Sequence, residues 1–200
     1  MQPRERYLYS SPFTRPPLKL PDGKRMIVWP VVNVEEWEIT RPMPRQMSIP
    51  PGGSVGAIPD MPNWTWHEYG MRVGIWRLIE AMASRKIATT ISLNAKVCET
   101  CPEVAAAARD AGWEFMAHCW VQIPIYKVED QPAMLQQSIA GIQKFTGKRP
   151  RGWLGPGRTQ MLDTLEHVAA AGMEWFGDWV LDDQPFWVDT KNGPLVSLPY

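Results

Sequence analysis

The sequence predicts an α/β fold of parallel βα units, most of a (β/α) barrel. Three observations lead there. Apolar, β-branched runs alternate with amphipathic stretches about every 25 to 35 residues, the pattern of strands joined by helical crossovers. Several helical stretches stop at a glycine: Gly112, Gly147 and Gly172. The 20 prolines in 200 residues are too many for a helical bundle. A closed barrel typically needs about 250 residues, so this chain is expected to hold six strands and to stop short of closure.

The elements follow in order. Residues 1–24 form an extended lead-in, since Pro3, Pro12, Pro16, Pro17 and Pro21 interrupt any periodicity. Residues 25–200 form the barrel domain. Met26-Ile-Val-Trp-Pro-Val-Val-Asn-Val reads as a strand buried on both faces, ending abruptly at Glu35-Glu36. From Trp37 to Trp66 there is no periodicity and much Pro and Gly. A loop of that length is expected to be a lid over the strand ends, with Trp64 or Trp66 near the pocket. Met71, Ile75, Leu78, Ile79 and Met82 repeat at helical spacing. Lys86-Ile-Ala-Thr-Thr-Ile-Ser-Leu is the next strand. Pro102–Asp110 is a short Ala-rich helix, and Trp113–Ala117 leads into His118. Asp130 caps a helix bearing Leu135, Ile139 and Ile142. Arg151–Leu154 is a short strand, Gly155–Arg158 a turn, and Leu162, Leu165 and Ala169 mark a helix. Met173–Phe176 and Leu195–Tyr200 are the last two strands.

Charge and composition exclude several functions. With 21 basic and 21 acidic side chains the chain lacks the positive field that nucleic acids or anionic membranes select. No run reaches the roughly 20 apolar residues that span a bilayer. Met1–Lys24 has no apolar h-region, so a cytoplasmic address is expected. The 11 tryptophans suit walls around a flat small-molecule substrate. Cys98 and Cys101 form one C-x-x-C without the second pair that a structural zinc site needs, so incidental thiols are preferred over a redox pair.

In parallel α/β folds the active site lies at the C-terminal ends of the strands. The residues just past those ends are Glu35 and Glu36, Asn94, His118 with Gln122, Pro156 and Arg158, then Asp178, Asp182 and Asp183. Glu35 and Glu36 abut a wholly apolar strand, where burial is expected to raise a carboxylate pKa and suit it to general base work.

At these positions the chain resembles the polysaccharide deacetylase superfamily. Asn33-Val-Glu-Glu-Trp resembles its first motif, in the variant of allantoinases and cyclic imide hydrolases. Glu114-Phe-Met-Ala-His118-Cys-Trp-Val-Gln122 resembles the second, and Arg149-Pro-Arg-Gly-Trp153-Leu-Gly-Pro-Gly-Arg158 the third. Asp182-Asp183-Gln-Pro-Phe-Trp and Leu198-Pro-Tyr resemble later stretches. The resemblance implies the seven-stranded (β/α) barrel of that superfamily, incomplete at its C-terminus. It also implies a hydrolase of carbon–nitrogen bonds other than peptide bonds, acting on a cyclic amide, imide or ureide. Glu35 would be the general base and His118 the donor that orients substrate or leaving group. Arg158 and the amides of the Gly155–Gly157 turn would stabilise the oxyanion. Trp120, Gln122, Trp153, Asp182 and Asp183 would complete the substrate site.

The sugar deacetylases of the superfamily hold a divalent metal with one Asp and two His. Here Gln122 stands at the second His position, so no metal cofactor is expected; were one bound, Glu36 and His118 would ligate it. His67 and His167 read as structural. Two rivals stand beside the leading reading: a metal-dependent N-deacetylase of sugars, and a non-catalytic barrel that binds a ligand or partner. The unfinished sheet edge after Tyr200 favours the second rival, since an exposed edge seeks pairing; a homo-oligomer acting on a small molecule is expected.

Overall fold

The computed structural model describes residues 1–49 and 56–200. Seven strands form one sheet in the order β1-β2-β3-β4-β5-β7-β6. They are β1 (Val31–Val34), β2 (Thr90–Leu93), β3 (Glu114–Ala117), β4 (Gly152–Trp153), β5 (Trp175–Phe176), β6 (Phe186–Val188) and β7 (Leu195–Ser197). The first five and β7 run parallel in register, Val31 beside Thr90 and Thr90 beside Glu114. Strand β6 folds back antiparallel on β7, pairing Trp187 with Val196. It is a seventh strand that the sequence did not announce, because Phe-Trp-Val is too short to show alternation.

The sheet curls until its two sides face each other. Trp29, just before β1, sets its ring edge-on to Trp175 of β5 and to Tyr200. Asn33 donates to the Tyr200 hydroxyl at 2.7 Å. Gly152 permits this closure: a Cβ there would overlap the Trp175 ring.

The outer face is covered by helices, which supply the core. Ile91, Leu93, Phe115 and Ala117 share a buried cluster with Ile75, Val104, Leu135, Ile139, Leu165 and Val168. Helix α1 (Met61–Tyr69) starts earlier than predicted and passes through a π-helical turn, Gly70–Gly74, into α2 (Ile75–Ser84). Its N-cap, Asp60, accepts from the Asn63 amide at 3.2 Å, with proline in the first turn. That Asp-Met-Pro signal was present in the sequence, masked by the Pro-rich stretch before it. The remaining helices are α3 (Val97–Thr100), α4 (Pro102–Asp110), α5 (Gln131–Thr146) and α6 (Thr164–Ala170). Asp130 caps α5 by accepting from Ala133, and Gly147 ends it at φ +75° as predicted. No helix among the described residues is long and apolar enough to cross a membrane.

Two readings of the N-terminal part are corrected. The predicted strand Met26–Val34 shrinks to its last four residues. Met26, Ile27 and Val28 are 74%, 66% and 73% exposed, because β1 lies at the sheet edge and none of the described residues covers the segment leading to it. Nor is the stretch 1–24 a mere lead-in. Arg6 is 2% exposed, pairs with Glu166 at 2.8 Å and donates to the carbonyls of Leu162 and Asp189. Tyr7 packs edge-on to Trp179 and Phe186.

Candidate active site

The C-terminal ends of β1, β3 and β4 open on one cavity of about 670 Å³. Glu35, His118, Gln122 and the Gly155–Thr159 turn line it, with Asn33 and Tyr200. Asn94, past the end of β2, locks the rim together. Its Oδ1 accepts from the Glu36 amide at 2.8 Å, and its Nδ2 donates to the His118 carbonyl.

His118 is buried, and its Nδ1 donates to the Leu154 carbonyl at 2.6 Å. A carbonyl only accepts, so this bond places a proton on Nδ1 and leaves Nε2 to the cavity. Among the described residues Nε2 has no hydrogen-bond partner, and it lies 3.8 Å from Glu35 Oε1. The other carboxylate oxygen, Oε2, accepts from Trp37 Nε1 at 2.6 Å. Trp37 is itself stacked on His67, with ring centroids 4.5 Å apart, and His67 Nε2 reaches the Glu35 carbonyl at 2.9 Å. His67 thus has the structural role its position suggested, buttressing Glu35 from behind.

These neighbours reverse the electrostatic expectation for Glu35. Burial does push its pKa up, but His118, the Trp37 indole and Arg45 together hold it below the ordinary glutamate value. The sequence shows the apolar strand before Glu35 but not the donors converging on it. Asp178 shows the opposite balance. Burial lifts its pKa to about 6, although Gln160 and the Gly155 amide each donate to it at 2.6 Å. Asp178 thereby pins the turn whose Leu154 carbonyl orients His118.

That turn is less generous than predicted. The Gly155 N–H is committed to Asp178, Pro156 has none, and the Arg158 N–H closes back on the Gly155 carbonyl at 2.7 Å. Donors toward an oxyanion are then the Gly157 amide and the Arg158 side chain. Gly157 and Arg158 are both left-handed, with φ of +60° and +56°, a strained conformation for a non-glycine residue that points to functional placement.

Other predicted site residues lie elsewhere. Trp153 is wholly buried, in one cluster with Ile139 and Leu165, and does not wall the cavity. Trp120 packs over Gly141, where the missing Cβ makes room for its ring. Asp182 is held by Arg15 at 2.5 Å beside a second cavity, and the exposed Asp183 is its neighbour. Neither lines the first cavity. Of the expected lid, Glu38 and Arg41–Arg45 do line it, while Trp64 and Trp66 do not and residues 50–55 lie outside the described residues.

The donor set does not match the one carboxylate and two imidazoles that the superfamily's metal site would need. The Glu36 carboxylate accepts from Thr100 Oγ1 at 2.6 Å and is not part of the cavity wall. Beside His118 and Glu35 the cavity offers Glu38, committed to Arg41 and Lys96, and Gln122 Oε1, without a hydrogen bond among the described residues, and a neutral amide is a poor ligand for a borderline metal. No group of three or more His, Cys, Asp and Glu among the described residues is placed to hold a metal ion. The C-x-x-C is no reactive pair either. Cys98 and Cys101 are free, and burial pushes both thiols up, Cys98 to about 11.

Sheet order and site together define a (β/α) barrel with a carboxylate–imidazole pair at its strand C-termini. The chain belongs to the polysaccharide deacetylase family, whose profile matches residues 64–176. It is similar to the crystal structure of Puue allantoinase, at 27% identity and TM-score 0.76 over 94% of this chain and 66% of that one. It is also similar to a probable polysaccharide deacetylase from Pseudomonas aeruginosa PAO1, at 26% identity and TM-score 0.68 over 86% and 61%. A curated Schizosaccharomyces pombe relative named "Putative polysaccharide deacetylase" is 29% identical over 66% of this chain, which spans 43% of that relative. The profile begins after Glu35, so the carboxylate rests on geometry rather than on the family match.

Proposed function

We propose that this chain hydrolyses a carbon–nitrogen bond, other than a peptide bond, in a cyclic amide, imide or ureide. The observation that carries the reading is the convergence of Glu35 Oε1 and the open Nε2 of His118 on one cavity, 3.8 Å apart. Water attacks the ring carbonyl carbon while ionised Glu35 takes its proton. Arg158 and the Gly157 amide face the developing oxyanion. The proton Glu35 takes from the water passes by way of His118 Nε2, 3.8 Å from Glu35 Oε1, to the ring nitrogen as the C–N bond breaks, leaving an acid and a freed amide or amine. Glu35 is ionised at neutral pH without burial having to tune it. The likeness to an allantoinase over 94% of the chain supports the ring substrate.

The family name also supports metal-dependent N-deacetylation of a sugar, which Gln122 and the outward-turned Glu36 disfavour. We further propose that the working protein needs no resident transition metal, is cytoplasmic, and assembles as a homo-oligomer. The test is ring opening across small hydantoins and imides beside acetate release from N-acetylglucosamine oligomers, with Glu35→Gln as control. Glu35→Gln is expected to lower kcat by about 10²–10⁴-fold with ligand affinity kept. Acetate release that is lost to a chelator and restored by metal would refute the reading.

A further inference from the structure

The cavity carries a charge that the ring-opening reaction alone does not require. On a molecule with equal numbers of acidic and basic side chains, its wall holds two carboxylates, Glu35 and Glu38, against Arg41, Arg45, Lys127 and Arg158. Glu38 is already neutralised, by Arg41 at 2.6 Å and Lys96 at 3.0 Å. Among the described residues no carboxylate lies within ion-pair distance of Arg45, Lys127 or Arg158.

These three cations come from three different loops, after β1, β3 and β4. Two of the loops are fixed to each other. The Ile125 amide donates to Thr159 Oγ1 at 2.8 Å, and that hydroxyl donates to the Pro156 carbonyl at 2.8 Å. Lys127 ends the short helical turn that begins at Ile125, and Arg158 precedes Thr159, on strained backbone. Scattered surface cations have no reason to meet over one opening or to be tied together there. Three without an ion-paired carboxylate among the described residues make a positive rim beside Glu35, whose pKa Arg45 helps to lower. A neutral sugar or an unsubstituted ring would engage Arg158 through the developing oxyanion but leave Arg45 and Lys127 without a partner, whereas an anionic substrate satisfies them and overcomes repulsion by Glu35.

We infer that the substrate is a cyclic amide, imide or ureide bearing a carboxylate group, held at the rim by Lys127 and Arg45 while Arg158 faces the reacting carbonyl. The inference rests on the ring-hydrolase reading. Its test separates the two by measuring binding apart from turnover. Hydantoin-5-acetate and hydantoin-5-acetamide share ring and shape and differ in one charge. Equilibrium dialysis of each against the intact protein, with the recovered ring analysed by chromatography, gives affinity and ring opening in one experiment.

The carboxylate is expected to bind at least ~10-fold more tightly than the carboxamide, an advantage that shrinks from about 20 mM to about 300 mM salt as screening shortens. In Lys127→Gln and in Arg45→Gln the advantage should fall to within about threefold, since each removes one of the rim charges. Equal binding, tighter binding of the carboxamide, or no detectable binding of either overturns the inference. So does displacement by inorganic phosphate that exceeds displacement by acetate at equal ionic strength, which would assign the rim to a phosphoryl group. Ring opening of the carboxamide without a carboxylate advantage would sink this inference and keep the hydrolase reading. A carboxylate advantage without ring opening of either probe would keep the rim as a carboxylate-binding site and sink the hydrolase reading.

Discussion

Replacing Asp178 with Asn tests the buried charge that holds the His118-orienting turn. The carboxyl is 6% exposed, and burial raises its pKa from the ordinary 3.8 to about 6. That gap of about two units corresponds to about 3 kcal/mol, at roughly 1.4 kcal/mol per unit. The folded state therefore holds this proton more tightly than the unfolded chain does. The favourable contribution is complete below about pH 3.8, declines as pH rises, and is gone above about pH 6, where an ionised group sits in the interior. The substituted amide does not titrate. It keeps an acceptor for the Gly155 amide but turns an NH₂ toward Gln160, whose own amide must rotate, a pH-independent loss of about 1 kcal/mol. Urea unfolding of both proteins at half-unit steps from pH 4 to 7.5 gives a difference curve in which every other titrating group cancels. The wild type should lose about 2.5 kcal/mol relative to Asp178→Asn across that range, most of it between pH 4 and 6. A difference curve flat to within about 0.5 kcal/mol would refute the reasoning, because Asp178 would then titrate alike folded and unfolded.

Further outcomes follow from individual contacts. Trp37→Phe removes the indole N–H that donates to Glu35 at 2.6 Å, so the Glu35 pKa should rise and the acid limb of kcat/KM against pH should move to higher pH. An unmoved limb would show that Glu35 is not the group it reports. Gly152→Ala drives a Cβ into the Trp175 ring and should destabilise the fold by about 1–3 kcal/mol, read as a lowered urea midpoint. Cys98, its thiol pushed up to about 11 by burial, should react with iodoacetamide at pH 8 more than about tenfold slower than free cysteine, as peptide mapping would show.

Local chemistry fixed much of this protein in advance. Asp130 and Gly147 bound α5 because a cap acceptor and a left-handed glycine need only adjacent backbone. The parallel order of β1 to β5 follows from strands separated by helices. Glu35, His118, Gln122 and Arg158 share a cavity because each follows a strand in a fold whose strand ends all face one way. What tertiary structure decided involves partners far apart in the chain. The direction of the Glu35 shift depends on His118, 83 positions away, and on Arg45 in the overlying loop. Asp182 reads like a site residue until Arg15, 167 positions earlier, takes it out of the cavity. Trp153 reads like a wall until its packing among the core helices buries it wholly. Glu36, beside the base in sequence, is turned to Thr100 because successive side chains leave the backbone in different directions. Periodicity and caps are written into neighbouring residues, whereas charge balance, burial and the facing of a side chain arise only when distant segments meet.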